Sequence, residues 1–562
     1  MTKRTLILLA TVVLAPALHA DPLDDLARDF WQWRAAEMPV STDDIPRLER
    51  PPAWVPDWSP EAVARYRKDL EKFETRWKQL QPSSSPVARQ VDYRLMGSAI
   101  ARVRWELEIT RSWQRNPRFY NDQTLGAYFM LLLQPPPFNA ERSRSIVNTL
   151  SSVPTTLEHA RRNLTEPIAP FAQLAISQLN QVGPAMRKSV VELKPLLDPA
   201  SAAQIDAVTS KAITAWESYR DWLNQRLPSM ATKTAIGRDN YMFFLKQVAL
   251  LPYTPEQLLE AGYAEWARSV AFQTYEEHHN AGSPQLALFQ DIKVQVDRED
   301  KDELAIRHFL EEKDILTVPS WTQRYLIQPM PGYMGPLAEI GAGEADDFTL
   351  PSRLKEHATR YIDPPSPNLG YFGLASAKDT RPDLVHEGVP GHYFQLILSW
   401  RHPDPIRRQY YDSSANEGLG FYAEEMMMGA GLFDDSPRTR EIIYNFMRLR
   451  ALRVEVDVKL ALGDFTIEQA AEYLTNTVPM DKKTALGEAA FFASGPGQAI
   501  SYQIGKLEIE KFLAEARRRQ GDKFSLRAFH DFLWLNGNVP IALQRWEYLG
   551  LRDEVDALGP PQ

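Results

Sequence analysis

Apolar residues along most of this chain recur at alternating steps of three and four, the spacing that lines one face of an α-helix. In SPEAVARYRKDLEKFETRWKQL, Val63, Tyr66, Leu70, Phe73, Trp77 and Leu80 form such a stripe, with Ser59 placed as N-cap and Pro60 at the first helical position. Leu23, Leu26, Phe30 and Trp33 predict an earlier helix. Thr254 and Gln257 make a capping box ahead of LLEAGYAEWA, and Thr466 and Gln469 make another ahead of AAEYL. Strand signals are few: the segment from Thr317 to Met334 and the stretch YFGLAS from Tyr371 are short and bounded by Pro or Gly. The fold class expected is therefore mainly α, with a small β-sheet encoded ahead of the motif region. Breaks at QPSSSP (81–86), QPPP (134–137) and PPSP (364–367) punctuate helices, and none is long enough for a flexible linker.

At the amino end Lys3 and Arg4 precede an uncharged apolar run from Leu6 to Leu18, the layout of a secretory signal peptide over residues 1–20. The run is too short to span a bilayer, and no later stretch suggests a membrane span. A periplasmic or secreted protein is expected, with an N-terminal helical region at 21–230 continuous with a second region at 231–562. With no Cys in the sequence, neither disulfides nor a lipidated amino-terminal cysteine is expected, so a large apolar core must supply the stability. Removing Lys3 and Arg4 takes the formal charge from −9 to −11, which argues against nucleic acid or an anionic membrane as partner.

The stretch with the most chemistry is RPDLVHEGVPGHYFQ, from Arg381 to Gln395, where His386 and Glu387 are adjacent and His392 follows. In the HExxH zinc motif two histidines four apart lie about 40° apart on a helix and reach one ion, while the Glu addresses its water. A spacing of six gives about 240° and roughly 9 Å of rise, which a regular helix cannot use. Pro390 cannot donate back to the His386 carbonyl, so the helix must kink or restart. Pro390 and Gly391 then form an insertion that swings His392 back beside His386. Two unrelated histidines around a Pro-Gly helix end would show the same spacing.

Glu417 in NEGLGFYAEE is placed to be a third ligand from a second helix, and Glu424, two turns on, to orient a ligand. A zinc hydrolase needs three protein ligands, a base for the metal-bound water and donors for the developing oxyanion. His386, His392 and Glu417 fill the first need and Glu387 the second. Tyr502 in PGQAISYQIG and Arg450 and Arg453 in RALRVEVD are candidates for the third, or for binding a substrate carboxylate. His278 and His279 in YEEHHNAG diverge by about 100° on a helix and read as surface. No GxSxG elbow, P-loop or Cys nucleophile offers another chemistry.

Taken together, several segments resemble the domain-of-unknown-function 885 family of bacterial proteins, grouped with helical gluzincin-type metallopeptidases. HEGVPGHYFQ is similar to that family's HEAxPGHxxQ, NEGLGFYAEE to EGWAxYxE, RALRVEVD to RAxRLVVD and PGQAISYQIG to PGQAxxYxxG. IGRDNYMFFL and TPEQLLEAG resemble a block further upstream, so the likeness runs from about Ile236 to Gly505. The resemblance implies zinc at His386, His392 and Glu417, Glu387 as base, a two-lobed helical peptidase with a deep cleft, and short peptides as substrates. Two departures stand out: Ala461 where the family pattern has His, and Phe491 and Phe492 where it has Arg-Tyr. They imply the loss of an oxyanion donor and of a substrate contact. Two alternatives follow: a noncatalytic peptide-binding or scaffold relative, and a zinc amidase acting on a nonpeptide substrate.

Overall fold

The computed structural model describes residues 21–37, 48–80, 85–478 and 480–560; the expected signal peptide and most of the QPSSSP break lie outside them. The chain is mainly helical with one three-stranded sheet. The helices used below are α1 (Pro22–Glu37), α2 (Pro60–Lys78), α3 (Val87–Arg104), α4 (Ala140–Asn163), α5 (Pro199–Arg226), α6 (Pro255–His279) and α7 (Ile292–Glu312). After the sheet come α8 (His392–Trp400), α9 (Ser413–Ala430), α10 (Pro437–Leu462), α11 (Lys482–Ser494), α12 (Ile500–Gln520) and α13 (Leu526–Leu535).

The caps expected from sequence are present. The Ser59 hydroxyl accepts from the Ala62 N–H at the start of α2, and Thr254 with Gln257 closes a full capping box on α6. Thr466 with Gln469 does the same for the helix Ile467–Thr477. The apolar stripe of α2 is buried at Val63, Tyr66, Leu70, Phe73 and Trp77, and α1 buries Leu23, Leu26 and Phe30 beside it. This cluster continues through α3, α4 and α5 and takes in Val539, Leu543 and Trp546 from the far end of the chain, so the N-terminal region shares its core with C-terminal residues. A second cluster surrounds α8, α9 and α13.

The sheet comprises β1 (Tyr325–Pro329), β2 (Asp346–Asp347) and β3 (Ala358–Ile362), in the order β1-β3-β2. β1 falls within the segment expected to hold a strand. YFGLAS does not form one: Tyr371–Ser376 is a short helix, whose Tyr371 and Phe372 rings pack on Phe446 of α10. Six residues with four apolar positions and a Gly satisfy either periodicity, and here contact with α10 decides. His278 and His279 end α6 and are exposed, as expected.

Helix α7 packs against β1 through buried Glu303, which holds Arg307 Nε at 2.6 Å and Arg324 Nε at 2.7 Å. One turn earlier Glu299 is 1% exposed and accepts only the Gln295 amide at 3.1 Å, with no ion pair among the described residues. Burial raises its carboxyl from the usual 4.5 to about 8. A carboxyl that keeps its proton only when folded contributes stability below the unfolded value and loses it as pH climbs to the folded one. Thermal stability should therefore fall between about pH 4.5 and about pH 8. Glu299→Gln, which keeps the neutral form, should flatten that slope and raise Tm at the alkaline end. Parallel Tm–pH curves for mutant and wild type would exclude a neutral Glu299.

Candidate metal centre

The segment RPDLVHEG coils into a wide, π-type turn at Leu384–Gly388, and α8 starts afresh at His392. The chain restarts where Pro390 lacks an N–H to donate. Gly391 lies so close to the preceding turn that a Cβ there would sit 1.8 Å from the His386 carbonyl oxygen, so only glycine fits. The two imidazoles end with ring centroids 4.6 Å apart. The turn is braced from below: Trp534 Nε1 of α13 donates to the Pro390 carbonyl at 2.7 Å. Gln395 Oε1 accepts from Asn416 and Asn538, each at 3.0 Å. Leaving such a buried group without a partner costs about 1–3 kcal/mol, so this network fixes how α8 meets α9.

On α9, Glu417, Gly420 and Glu424 lie at i, i+3 and i+7 and share the face turned to the imidazoles. Glu417 Oε2 is 3.0 Å from His392 Nε2 and 3.5 Å from His386 Nε2. Glu424 Oε1 stands behind the first histidine, 2.7 Å from His386 Nδ1. Between them Gly420 leaves room: a Cβ there would lie 3.0 Å from His392 Cε1 and 3.2 Å from His386 Cε1. Gly420→Ala should therefore displace the imidazoles and lower zinc affinity while α9, which favours Ala over Gly, stays folded. Zinc titration beside circular dichroism checks this; unchanged affinity would show that the rings yield freely.

One ligand atom from each of His386, Glu387 and His392 lies within 4.8 Å of the others, and Glu417 Oε2 adds a fourth donor. Tetrahedral zinc with Zn–N and Zn–O bonds of about 2.0–2.2 Å separates neighbouring donors by roughly 3.3–3.6 Å. The separations of 3.0 and 3.5 Å around Glu417 Oε2 lie within a few tenths of an ångström of that edge. Glu417 Oε2 is also buried without an aligned hydrogen-bond donor, as is His392 Nδ1. A buried carboxylate oxygen facing two imidazole nitrogens with no hydrogen bond suits a cation. The donor set of two imidazoles and one carboxylate fits zinc.

Burial opposes the charge on Glu417, yet the His392 and His386 imidazoles hold its carboxyl well below the usual range. Burial and the Arg450 guanidinium oppose a charged His386, but Glu417 and Glu424 raise it to about 9. Glu387 also stays ionised: burial is outweighed by Arg360, His392 and His386.

Arg360, which sequence reasoning missed, places a cation beside Glu387. It projects from β3 opposite Asp346 of β2, its Nη1 3.1 Å from Asp346 Oδ2 and 3.6 Å from Glu387 Oε1, its Nε 3.4 Å from Asp383 Oδ2. Tyr325 Oη of β1 donates to Asp346 Oδ1 at 2.6 Å. All three strands thus contribute to one charged cluster beside Glu387. Asp383, four residues before Glu387 on the same turn, was the available sequence signal.

The other named residues sit as follows. Arg450 lies 2.7 Å from Glu424 Oε1 and 3.4 Å from His386 Nδ1, behind the histidine instead of open to substrate. Arg453 makes a two-pronged pair with Glu488 at 2.7 and 2.8 Å, and its guanidinium lies 4.5 Å over the Tyr502 ring. Both guanidiniums are thus paired with carboxylates of the chain, Arg450 with Glu424 and Arg453 with Glu488. Tyr502 stacks 6.3 Å from His386, and burial, then Glu417, raises its hydroxyl well above the usual value, so it remains a protonated donor. Ala461 is eleven residues beyond Arg450 on α10, about 16 Å along the helix, buried in an apolar cluster. A histidine there would not reach the metal cluster, so this departure alters packing and removes no donor from the centre. Phe492 is buried beside Arg453, and Phe491 packs on it.

Two solved structures share the fold. One, described as "a putative lipoprotein of unknown function from Shewanella oneidensis", has a TM-score of 0.70 and 18% identity, covering 94% of this chain and 99% of its own. The other, "the putative lipoprotein from Colwellia psychrerythraea", has a TM-score of 0.72 and 18% identity, covering 96% and 98%. No curated protein matches the chain. The family model described as "Bacterial protein of unknown function (DUF885)" matches residues 52–546, nearly the whole length over which the core and the His386 cluster are built, and the chain belongs to that family.

Proposed function

We propose that the protein is an exported zinc metallopeptidase that hydrolyses short peptides. The observation carrying this reading is the convergence of His386 Nε2 and His392 Nε2 on Glu417 Oε2, which has no aligned hydrogen-bond donor, with the Glu387 carboxylate alongside. Two histidines and a glutamate are a ligand set of catalytic zinc, which keeps one coordination position open, whereas structural sites close all four. Bound zinc would supply a Lewis acid and lower the pKa of a coordinated water.

The protein's own groups have separable tasks. Glu387, kept ionised by Arg360, accepts the water's proton and returns it to the leaving amine. Glu424 and Arg450 fix the ring of His386 so that Nε2 faces the centre. Tyr502 donates a hydrogen bond to the oxyanion that develops on the peptide carbonyl. The reading includes a two-lobed helical fold with the centre in a deep cleft. The lipoprotein descriptions of the two similar structures support export.

Metal analysis of the purified mature chain, followed by digestion of a peptide library, tests the proposal. About one zinc per chain and cleaved peptides are expected. Zinc without cleavage would instead favour a noncatalytic peptide-binding relative, and hydrolysis confined to nonpeptide amides would make the protein an amidase.

A further inference from the structure

A cavity of about 560 Å³ opens where three separate segments meet, and none of its lining residues belongs to the cluster around His386. Its volume falls within the range of small-molecule sites, roughly 300–1,000 Å³. Four cations line it: Arg111 and Arg115 from the turn before residue 117, Arg226 from the last turn of α5, and Lys233 from the segment that follows. The only lining carboxylate is Glu166, and it is engaged by Arg111, whose Nη2 lies 3.1 Å from Oε2 and Nη1 3.2 Å from Oε1. Among the described residues no carboxylate pairs with Arg115, Arg226 or Lys233.

The lining therefore carries an excess of positive charge, three cations beyond the paired Arg111 and Glu166. Burial, with Arg111 nearby, holds Arg115 below the usual arginine range, and the nearby Glu166 offsets its charge only in part. Arg111 itself has φ +49°, in the left-handed region that non-glycine residues seldom occupy, and this conformation begins the helix carrying Arg115. Strained backbone of this kind costs of order 1–3 kcal/mol and clusters at ligand sites. Ile109, Ile168, Met230 and Ile236 supply an apolar wall beside the cations.

We propose that this cavity is a second binding site, for a small oxyanion carrying two or more negative charges, a polycarboxylate or a polyphosphate. Guanidinium groups match carboxylate and phosphate oxygens in paired hydrogen bonds, and cations on two of the three segments suit a ligand whose charges are spread over its length. A single monovalent anion leaves most of them unanswered.

Calorimetric titration of the mature chain at low ionic strength with inorganic pyrophosphate, and separately with propane-1,2,3-tricarboxylate, tests the site. Saturable binding with Kd below about 1 mM is expected for at least one probe, weakened roughly tenfold by Arg115→Met and several-fold by the exposed Lys233→Met. Comparable binding of both probes assigns recognition to charge alone, and binding of one assigns it to that oxyanion. Because either probe could also seat on a metal, His392→Ala is included and should bind as wild type. Loss of binding in His392→Ala, unchanged binding in both cation variants, or no saturable heat with either probe overturns the proposal.

Discussion

Glu387→Gln is expected to lower peptide turnover by about 10²- to 10⁴-fold, the usual contribution of a general acid–base group, while zinc content stays at the wild-type level. The substitution keeps the side chain's size and removes the oxygen that takes up a proton. Glu387 is paired with Arg360 at 3.6 Å, while Glu417 faces the imidazoles and Glu424, paired with Arg450 at 2.7 Å, lies behind His386. Its side chain is 22% exposed, against 11% for Glu417 and none for Glu424, so it is the most open of the three to substrate and water. The measurement is turnover of a peptide first found with the wild-type protein, with zinc assayed on the same preparation. Full turnover in a zinc-loaded mutant would remove Glu387 from the mechanism, and loss of zinc would make it a ligand.

How far the sequence anticipates this structure depends on whether a signal is local. The caps at Ser59, Thr254 and Thr466 were legible because each bond spans two or three residues and each donor and acceptor type is prescribed. YFGLAS was misread because its register is set by Phe446, far along the chain. His386, Glu387, His392 and Glu417 could be named from motif and resemblance. The spacing of His386 and His392 remained ambiguous until the turn at Pro390 and Gly391 placed the rings 4.6 Å apart. Arg360 and Asp346 were invisible: neither lies in a motif, and only pairing of β2 with β3 sets them opposite one another beside Glu387. Arg450 and Arg453 were identified as important, but their pairing with Glu424 and Glu488 was not legible, since an arginine on an apolar helix offers no sequence clue to which carboxylate it meets.

The second large effect concerns the ligands themselves: His386→Ala, His392→Ala and Glu417→Ala should each weaken zinc binding by more than about 100-fold and abolish peptide cleavage. A residue behind a ligand typically costs 10- to 100-fold, so Glu424→Gln should fall within that range and separate orienting from coordinating roles. Glu417 gives the sharpest contrast. Its Oε2 lies 3.0 and 3.5 Å from the two Nε2 atoms, so the imidazoles answer its charge in the metal-free chain and a bound cation would do so in the loaded one. Removing it also takes away the partner of the two imidazoles that hold its carboxyl below the usual range, so the metal-free Glu417→Ala protein should lose some thermal stability at neutral pH as zinc affinity collapses. The stabilisation that zinc gives wild type, which grows with the ratio of free metal to Kd, should disappear in the same variant. Competition titration against a chromogenic chelator, paired with thermal unfolding with and without zinc, measures both. If Glu417→Ala retains wild-type affinity, the third ligand is another carboxylate, Glu387 being the nearest, and the division of labour between base and ligand must be reversed.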